Sequence, residues 1–145
     1  MSPSSATGLK NRLFSCEFSL SQLAEITDRF AFCMQPPQVI TFSGDLGSGK
    51  TTLIAALLKQ YFHIDIAASP TFTLVFDYGD VAHFDLYRLT DPEEFERMGW
   101  DESFDRMAFI EWPERLEGRL PSRRVDVELE HINETKRRIT VDAIS

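Results

Sequence analysis

Hydrophobic positions along this chain change their period several times, and each change marks an element. From Arg12 to Phe18 apolar and polar residues alternate, which predicts a first strand. Ser19-Leu20-Ser21-Gln22 has the character of a helix start, and Leu23, Ile26, Phe30 and Cys33 follow at helical spacing until Pro36-Pro37 stops the helix. Val39-Ile40-Thr41-Phe42 is a β-branched and aromatic run, the pattern of a buried strand. A glycine-rich stretch separates it from Thr52–Phe62, a helical run without Gly or Pro. Leu74–Tyr78 and Val81–Leu86 are strand-like around a Gly79-Asp80 turn, predicting a hairpin. Asp91-Pro92-Glu93-Glu94 opens a helix, with proline just inside and acids in the first turn, and that helix ends near Gly99. Met107–Ile110 is a short buried strand that delivers Glu111 at its end. Arg124–Glu130 alternates, Asn133-Glu134 turns, and Arg138–Ile144 returns, which predicts a C-terminal antiparallel hairpin.

Composition narrows what such a chain does. Its 145 residues suit one domain over residues 1–145, and 43% hydrophobic residues with twelve Phe can fill a core. No apolar run is long enough to span a bilayer. Met1–Gly8 lacks an apolar segment after a basic start, so residues 1–10 are expected to be a disordered tail rather than a signal. Cys16 and Cys33 have no metal-type spacing and fit reduced thiols in a cytoplasm. A net charge of −8 repels nucleic-acid backbones, and Lys136-Arg137-Arg138, the best basic cluster, is expected to be solvated charge on the terminal hairpin. RNA affinity of the isolated chain should therefore be poor.

The chemistry starts at residues 44–51, Gly-Asp-Leu-Gly-Ser-Gly-Lys-Thr, a complete G-x-x-x-x-G-K-[ST] phosphate loop in its required place between a strand and a helix. Glycines let backbone N–H groups turn toward a phosphate chain, Lys50 can reach its β/γ oxygens, and the Thr51 hydroxyl can ligate Mg²⁺. The helix adds its positive N-terminal end. Glu111, at the end of an apolar strand, has the placement of a second magnesium ligand. In His83-Phe84-Asp85-Leu86-Tyr87 the strand period puts His83, Asp85 and Tyr87 on one face, opposite Phe84 and Leu86. Asp85 can then bind the ion through water or orient an attacking water, with His83 as its hydrogen-bond partner, or the face is a satisfied polar network. Thr71, in Ser69-Pro70-Thr71, sits where a segment can sense a γ-phosphate or is a plain loop residue. Trp112 stands at the mouth of a nucleotide cleft or packs at an edge. No Asn-Lys-x-Asp guanine signature occurs, which favours adenine.

Taken together, Gly44–Thr52, Ser69-Pro-Thr-Phe-Thr-Leu-Val75, His83-Phe-Asp-Leu-Tyr-Arg-Leu89 and Ile110-Glu-Trp-Pro-Glu114 resemble the TsaE (YjeE) family of small bacterial ATPases of tRNA threonylcarbamoyladenosine synthesis. Order and spacing match over about residues 19–144. The resemblance implies a P-loop α/β fold with a mixed, mainly parallel central sheet, and slow ATP hydrolysis in a complex with the TsaB and TsaD proteins, tRNA being engaged only indirectly. It implies nucleotide binding by Asp45, Leu46, Gly47, Ser48, Gly49, Lys50, Thr51 and Thr52, with the phosphates held from Leu46 to Thr51 and Lys50 as the charge clamp. It implies Mg²⁺ ligation by Thr51 and Glu111, hydrolysis dependent on Asp85, Thr71 near the nucleotide, and Trp112 near the nucleotide or a partner. Residues 115–124 depart most from the family pattern. Two other functions fit a phosphate loop of this size, a small-molecule kinase and a non-catalytic module that uses ATP to gate assembly. A kinase of this size usually needs an arginine-bearing lid where this chain has its terminal hairpin.

Overall fold

The computed structural model describes residues 9–66 and 74–145. Its frame is one seven-stranded sheet in the order β1-β7-β6-β2-β5-β4-β3. The strands are β1 (Lys10–Ser19), β2 (Gln38–Ser43), β3 (Val75–Asp77), β4 (Val81–Asp85), β5 (Met107–Glu111), β6 (Arg124–His131) and β7 (Lys136–Ile144). The helices are α1 (Leu23–Asp28), α2 (Lys50–Phe62) and α3 (Pro92–Arg97). Among the described residues no helix is long and apolar enough to cross a membrane.

The sheet is mixed. β2 lies between β5 and β6 and runs parallel to both, and β4 runs parallel to β5. β3–β4, β6–β7 and β1–β7 are antiparallel. Both expected hairpins are present. β2 is covered on both faces, which is why its sequence is a continuous apolar run rather than an alternating one. Its one polar interior residue, Thr41, donates to Asp126 Oδ1 at 2.7 Å on the neighbouring strand. α2 lays Leu53, Ile54, Leu57 and Leu58 against one face, where they meet Ile40, Phe42, Phe109, Val127 and Val141. The opposite face packs Val39, Phe84, Leu86 and Ile110 under Phe95 of α3 and Leu116. In α3 Asp91 caps the start, accepting from Glu93 N at 3.0 Å.

Two elements differ from the pattern in the sequence. The first helix, expected to run to Cys33, has only six regular residues, and 3₁₀ turns flank it at Leu20–Gln22 and Ala31–Cys33. Contacts with α2 end it early. Tyr61 Oη of α2 donates to the Thr27 carbonyl at 2.8 Å, and within α1 itself the Thr27 hydroxyl bonds back to the Ala24 carbonyl at 3.1 Å. The chain then tightens so that Phe30 is fully buried, edge-on to Phe14. β1 begins at Lys10, and Leu9 exchanges backbone hydrogen bonds with Ser145 at 2.7 and 3.0 Å. The tail expected over residues 1–10 thus reaches the sheet edge at its end, while residues 1–8 lie outside the described residues.

Both cysteines are free. Burial pushes the Cys33 thiol up to about 12, so it is inert packing rather than a nucleophile.

Candidate functional site

Three parallel strands end side by side, and each end contributes to one cleft. β2 runs into the phosphate loop, β5 ends at Glu111, and β4 ends at Asp85 directly across from Glu111 in the register. Ligands of open α/β sheets collect at this edge. The cleft has a volume of about 400 Å³ and is lined by residues 46–53, Asp85, Tyr87, Glu111, Trp112 and Arg137, with Phe18, Leu20, Leu23 and Leu129 forming an apolar wall.

The loop is held by backbone geometry that only glycine permits at two points. Gly44 has φ 147°, and a Cβ there would lie 2.4 Å from the Leu129 carbonyl oxygen and 2.7 Å from Ser48 Oγ. Gly49, the residue before α2, is left-handed at φ 102°, which turns the chain into the helix. Ser48 N donates to the Asp45 carbonyl at 3.0 Å and closes the turn between them. Asp45 itself is exposed at the start of the loop and is not among the cleft's lining residues.

Lys50 is buried, with its ammonium hydrogen-bonded to the Gly44 carbonyl and 3.6 Å from the centre of the Trp112 ring. Burial lowers its pKa below the ordinary lysine value, opposed by the negative charges of Glu111, Glu114, Asp85 and Asp45. Trp112 reaches this place through a left-handed backbone (φ 60°, ψ 52°), rare for a bulky residue and the kind of strain that concentrates at functional sites. Its ring also packs on Tyr87 with centroids 4.9 Å apart.

Glu111 is buried, with its two oxygens divided between partners. Oε1 accepts from the Thr51 hydroxyl at 3.1 Å, and Oε2 lies 2.7 Å from His83 Nε2. His83 was expected to partner Asp85. It reaches Glu111 instead, because in the parallel β4–β5 register His83 stands opposite Phe109, two residues before Glu111 on the same face. Asp85 accepts from the Tyr87 backbone N–H at 3.1 Å. Burial and the nearby charge of Glu111 raise its carboxyl above the usual aspartate value.

The donor set fits a magnesium nucleotide. A hydroxyl and a carboxylate, both hard oxygen ligands, meet beside a cation and a helix N-terminus. The buried Ser48 Oγ has no hydrogen-bond partner among the described residues. Among the described residues no group of three or more His, Cys, Asp or Glu side chains could hold a metal ion by itself. An ion held by Thr51 and Glu111 would need its other ligands from phosphate and water. Thr71 lies outside the described residues.

The sequence did not point to Arg137. Its guanidinium is not solvated charge: it donates from Nε to the Ser48 carbonyl at 3.1 Å, and from another nitrogen to the Asn133 and Lys136 carbonyls at 2.6 and 2.9 Å. The terminal hairpin thus braces the phosphate loop. Strand alternation gave a weak signal, since Arg137 and Ile139 share a face and Ile139 is core.

A family model described as threonylcarbamoyl adenosine biosynthesis protein TsaE matches residues 18–139. The chain is 40% identical to the tRNA threonylcarbamoyladenosine biosynthesis protein TsaE of Haemophilus influenzae, over 68% of this chain and 66% of that protein, just under two thirds of its length. It is 34% identical to the protein of the same description from Bacillus subtilis, over 84% of this chain and 78% of that one. With that from Aquifex aeolicus it shares 33% identity over 92% and 96%. Among solved structures, the crystal structure of YdiB from Bacillus subtilis superposes with a TM-score of 0.73 at 25% identity, covering 94% of this chain and 88% of that one.

Proposed function

The chain belongs to the TsaE family, and from that membership and the geometry of the cleft we propose that it is a Mg²⁺-dependent, slowly hydrolysing ATPase subunit serving threonylcarbamoyladenosine modification of tRNA. The observation that carries the proposal is the contact of Thr51 with Glu111 beside the buried Lys50 ammonium, which brings both expected metal ligands and the phosphate clamp into one place.

The residues divide the work. Backbone N–H groups of residues 46, 47 and 49–51, with Ser48 N–H closing the turn, and the Lys50 ammonium hold the phosphates, once Lys50 exchanges the Gly44 carbonyl for phosphate oxygens. Thr51 and Glu111 would hold magnesium, which when bound would supply neutralisation of charge on the β- and γ-phosphates. Phe18, Leu20, Leu23 and Leu129 offer an apolar surface for the adenine base. Asp85, from the adjacent strand, orients the attacking water, and its raised pKa lets it accept a proton. Such a site accelerates hydrolysis mainly by positioning and by balancing charge.

Hydrolysis by the isolated chain is slow for a stated reason. Among the described residues the cleft lining holds one arginine, Arg137, and its guanidinium is committed to three backbone carbonyls. Extra positive charge at the γ-phosphate has to come from a partner, and TsaB and TsaD are the partners proposed. The test is ATP turnover by the chain alone and with those two proteins. Stimulation on adding them is expected. Fast turnover without them, or transfer of phosphate to a metabolite, would overturn the proposal in favour of an autonomous hydrolase or a kinase.

A further inference from the structure

We propose that His83 is a positioning residue for Glu111, holding one carboxylate oxygen so that the other is presented to the metal beside Thr51. This rests on the magnesium-nucleotide function proposed above.

The pairing is unusual for its location. His83 is fully buried in β4 and Glu111 nearly so at the end of β5, with 2.7 Å between His83 Nε2 and Glu111 Oε2. A polar pair in a core is costly compared with apolar residues of the same size, so its presence calls for a use. The bond to a carboxylate makes Nε2 the donor. The other ring nitrogen, Nδ1, is buried without a hydrogen-bond partner. Among the described residues Glu111 is thus the one hydrogen-bond partner of the imidazole. The geometry divides the carboxylate cleanly, because Oε2 faces β4 while Oε1 faces the first residues of α2. Were His83 absent, the carboxylate would rest on the Thr51 hydroxyl alone, the same group that the ion requires. Partners of this kind around metal ligands typically change metal affinity by about 10–100-fold.

The experiment is calorimetric titration of AMP-PNP into the full chain with Mg²⁺ and, separately, with EDTA. His83→Leu keeps an apolar volume and removes the donor. It is expected to lose about 10–100-fold of the affinity gained on adding Mg²⁺, while affinity in EDTA stays within about twofold. His83→Gln can place its amide nitrogen where Nε2 sits and is expected to restore most of the loss. Where leucine prevents folding, His83→Asn against His83→Gln carries the same contrast, since asparagine reaches only the Nδ1 position. The proposal is overturned if His83→Leu keeps the full Mg²⁺ effect, or if Gln and Asn behave alike. It is equally overturned if affinities in Mg²⁺ and EDTA fall together, the signature of a packing role. A wild-type protein that gains nothing from Mg²⁺ would remove the magnesium reading itself, an outcome distinguishable from a failure confined to the variants.

Discussion

Replacing Gly44 with alanine should cost far more than the same change three residues later at Gly47. A Cβ on Gly44 would sit 2.4 Å from the Leu129 carbonyl oxygen and 2.7 Å from Ser48 Oγ. Carbon–oxygen contacts normally begin at about 3.3 Å, so loop and β6 must separate by roughly 1 Å. The carbonyl is main chain and cannot swing aside. Overpacking of this kind costs about 1–3 kcal/mol, and holding alanine at φ 147° adds about 1–3 kcal/mol. Gly47 is left-handed at φ 81° with nothing among the described residues within 4 Å of a Cβ, so Gly47→Ala carries the backbone penalty, about 1–2 kcal/mol. Urea denaturation of the nucleotide-free proteins separates the two. Gly44→Ala should lose about 2–6 kcal/mol, the sum of the two costs, a large part of a typical stability of about 5–15 kcal/mol. Because Gly44 opens the phosphate loop, displacing it from β6 also moves the loop N–H groups proposed to hold phosphate, and nucleotide affinity should fall with stability. Equal losses for the two variants would refute the close approach between the loop and β6.

Three further outcomes follow from the charges. Lys50→Met should weaken ATP binding by about 10–100-fold, the worth of a charged hydrogen bond, yet raise the melting temperature of the nucleotide-free protein at neutral pH. Its depressed pKa means the ammonium is less favourable folded than unfolded, so a lower melting temperature would count against that environment. Asp85→Asn should abolish hydrolysis and also stabilise. Its raised pKa makes the ionised form unfavourable in the folded state, so the gain is present at neutral pH and disappears as pH falls below the unfolded value near 4; a gain that persists in acid would contradict this origin. Arg106 binds Asp77 through two nitrogens at 2.9 and 2.8 Å and holds its carboxyl below the usual range. Asp77 is exposed and Arg106 half-buried, so the pair is solvent-screened and contributes less than about 1 kcal/mol, present above the unfolded pKa and lost as pH falls through the folded one. Arg106→Ala should move the acid-unfolding midpoint to higher pH without changing nucleotide affinity, and an affinity change would contradict its position before β5, away from the cleft.

The parts of this molecule legible in its sequence are those set by local rules. Strand, glycine loop and helix follow from residues 39–62, and both hairpins follow from period-two alternation around turns at Gly79-Asp80 and Asn133-Glu134. Glu111 could be picked out because one carboxylate ends an apolar strand. What stayed hidden depended on strand order. That His83 meets Glu111 rather than Asp85 requires β4 to lie beside β5 in a particular parallel register, which no local spacing encodes. Arg137 looked like one member of a solvated charge run, and its role appears only when β7 and β6 bring the hairpin tip beside Ser48. The shortened α1 has the same cause, because its end is decided by Tyr61 of α2, thirty-four residues from Thr27.

The most direct measurement is a crystal structure with Mg²⁺ and AMP-PNP. The ion should bind the Thr51 hydroxyl and Glu111, directly or through one water, with the Lys50 ammonium moved from the Gly44 carbonyl onto phosphate oxygens. A nucleotide seated elsewhere, or one in this cleft with Lys50 still on Gly44 and Glu111 turned from the ion, would contradict the function proposed for the site.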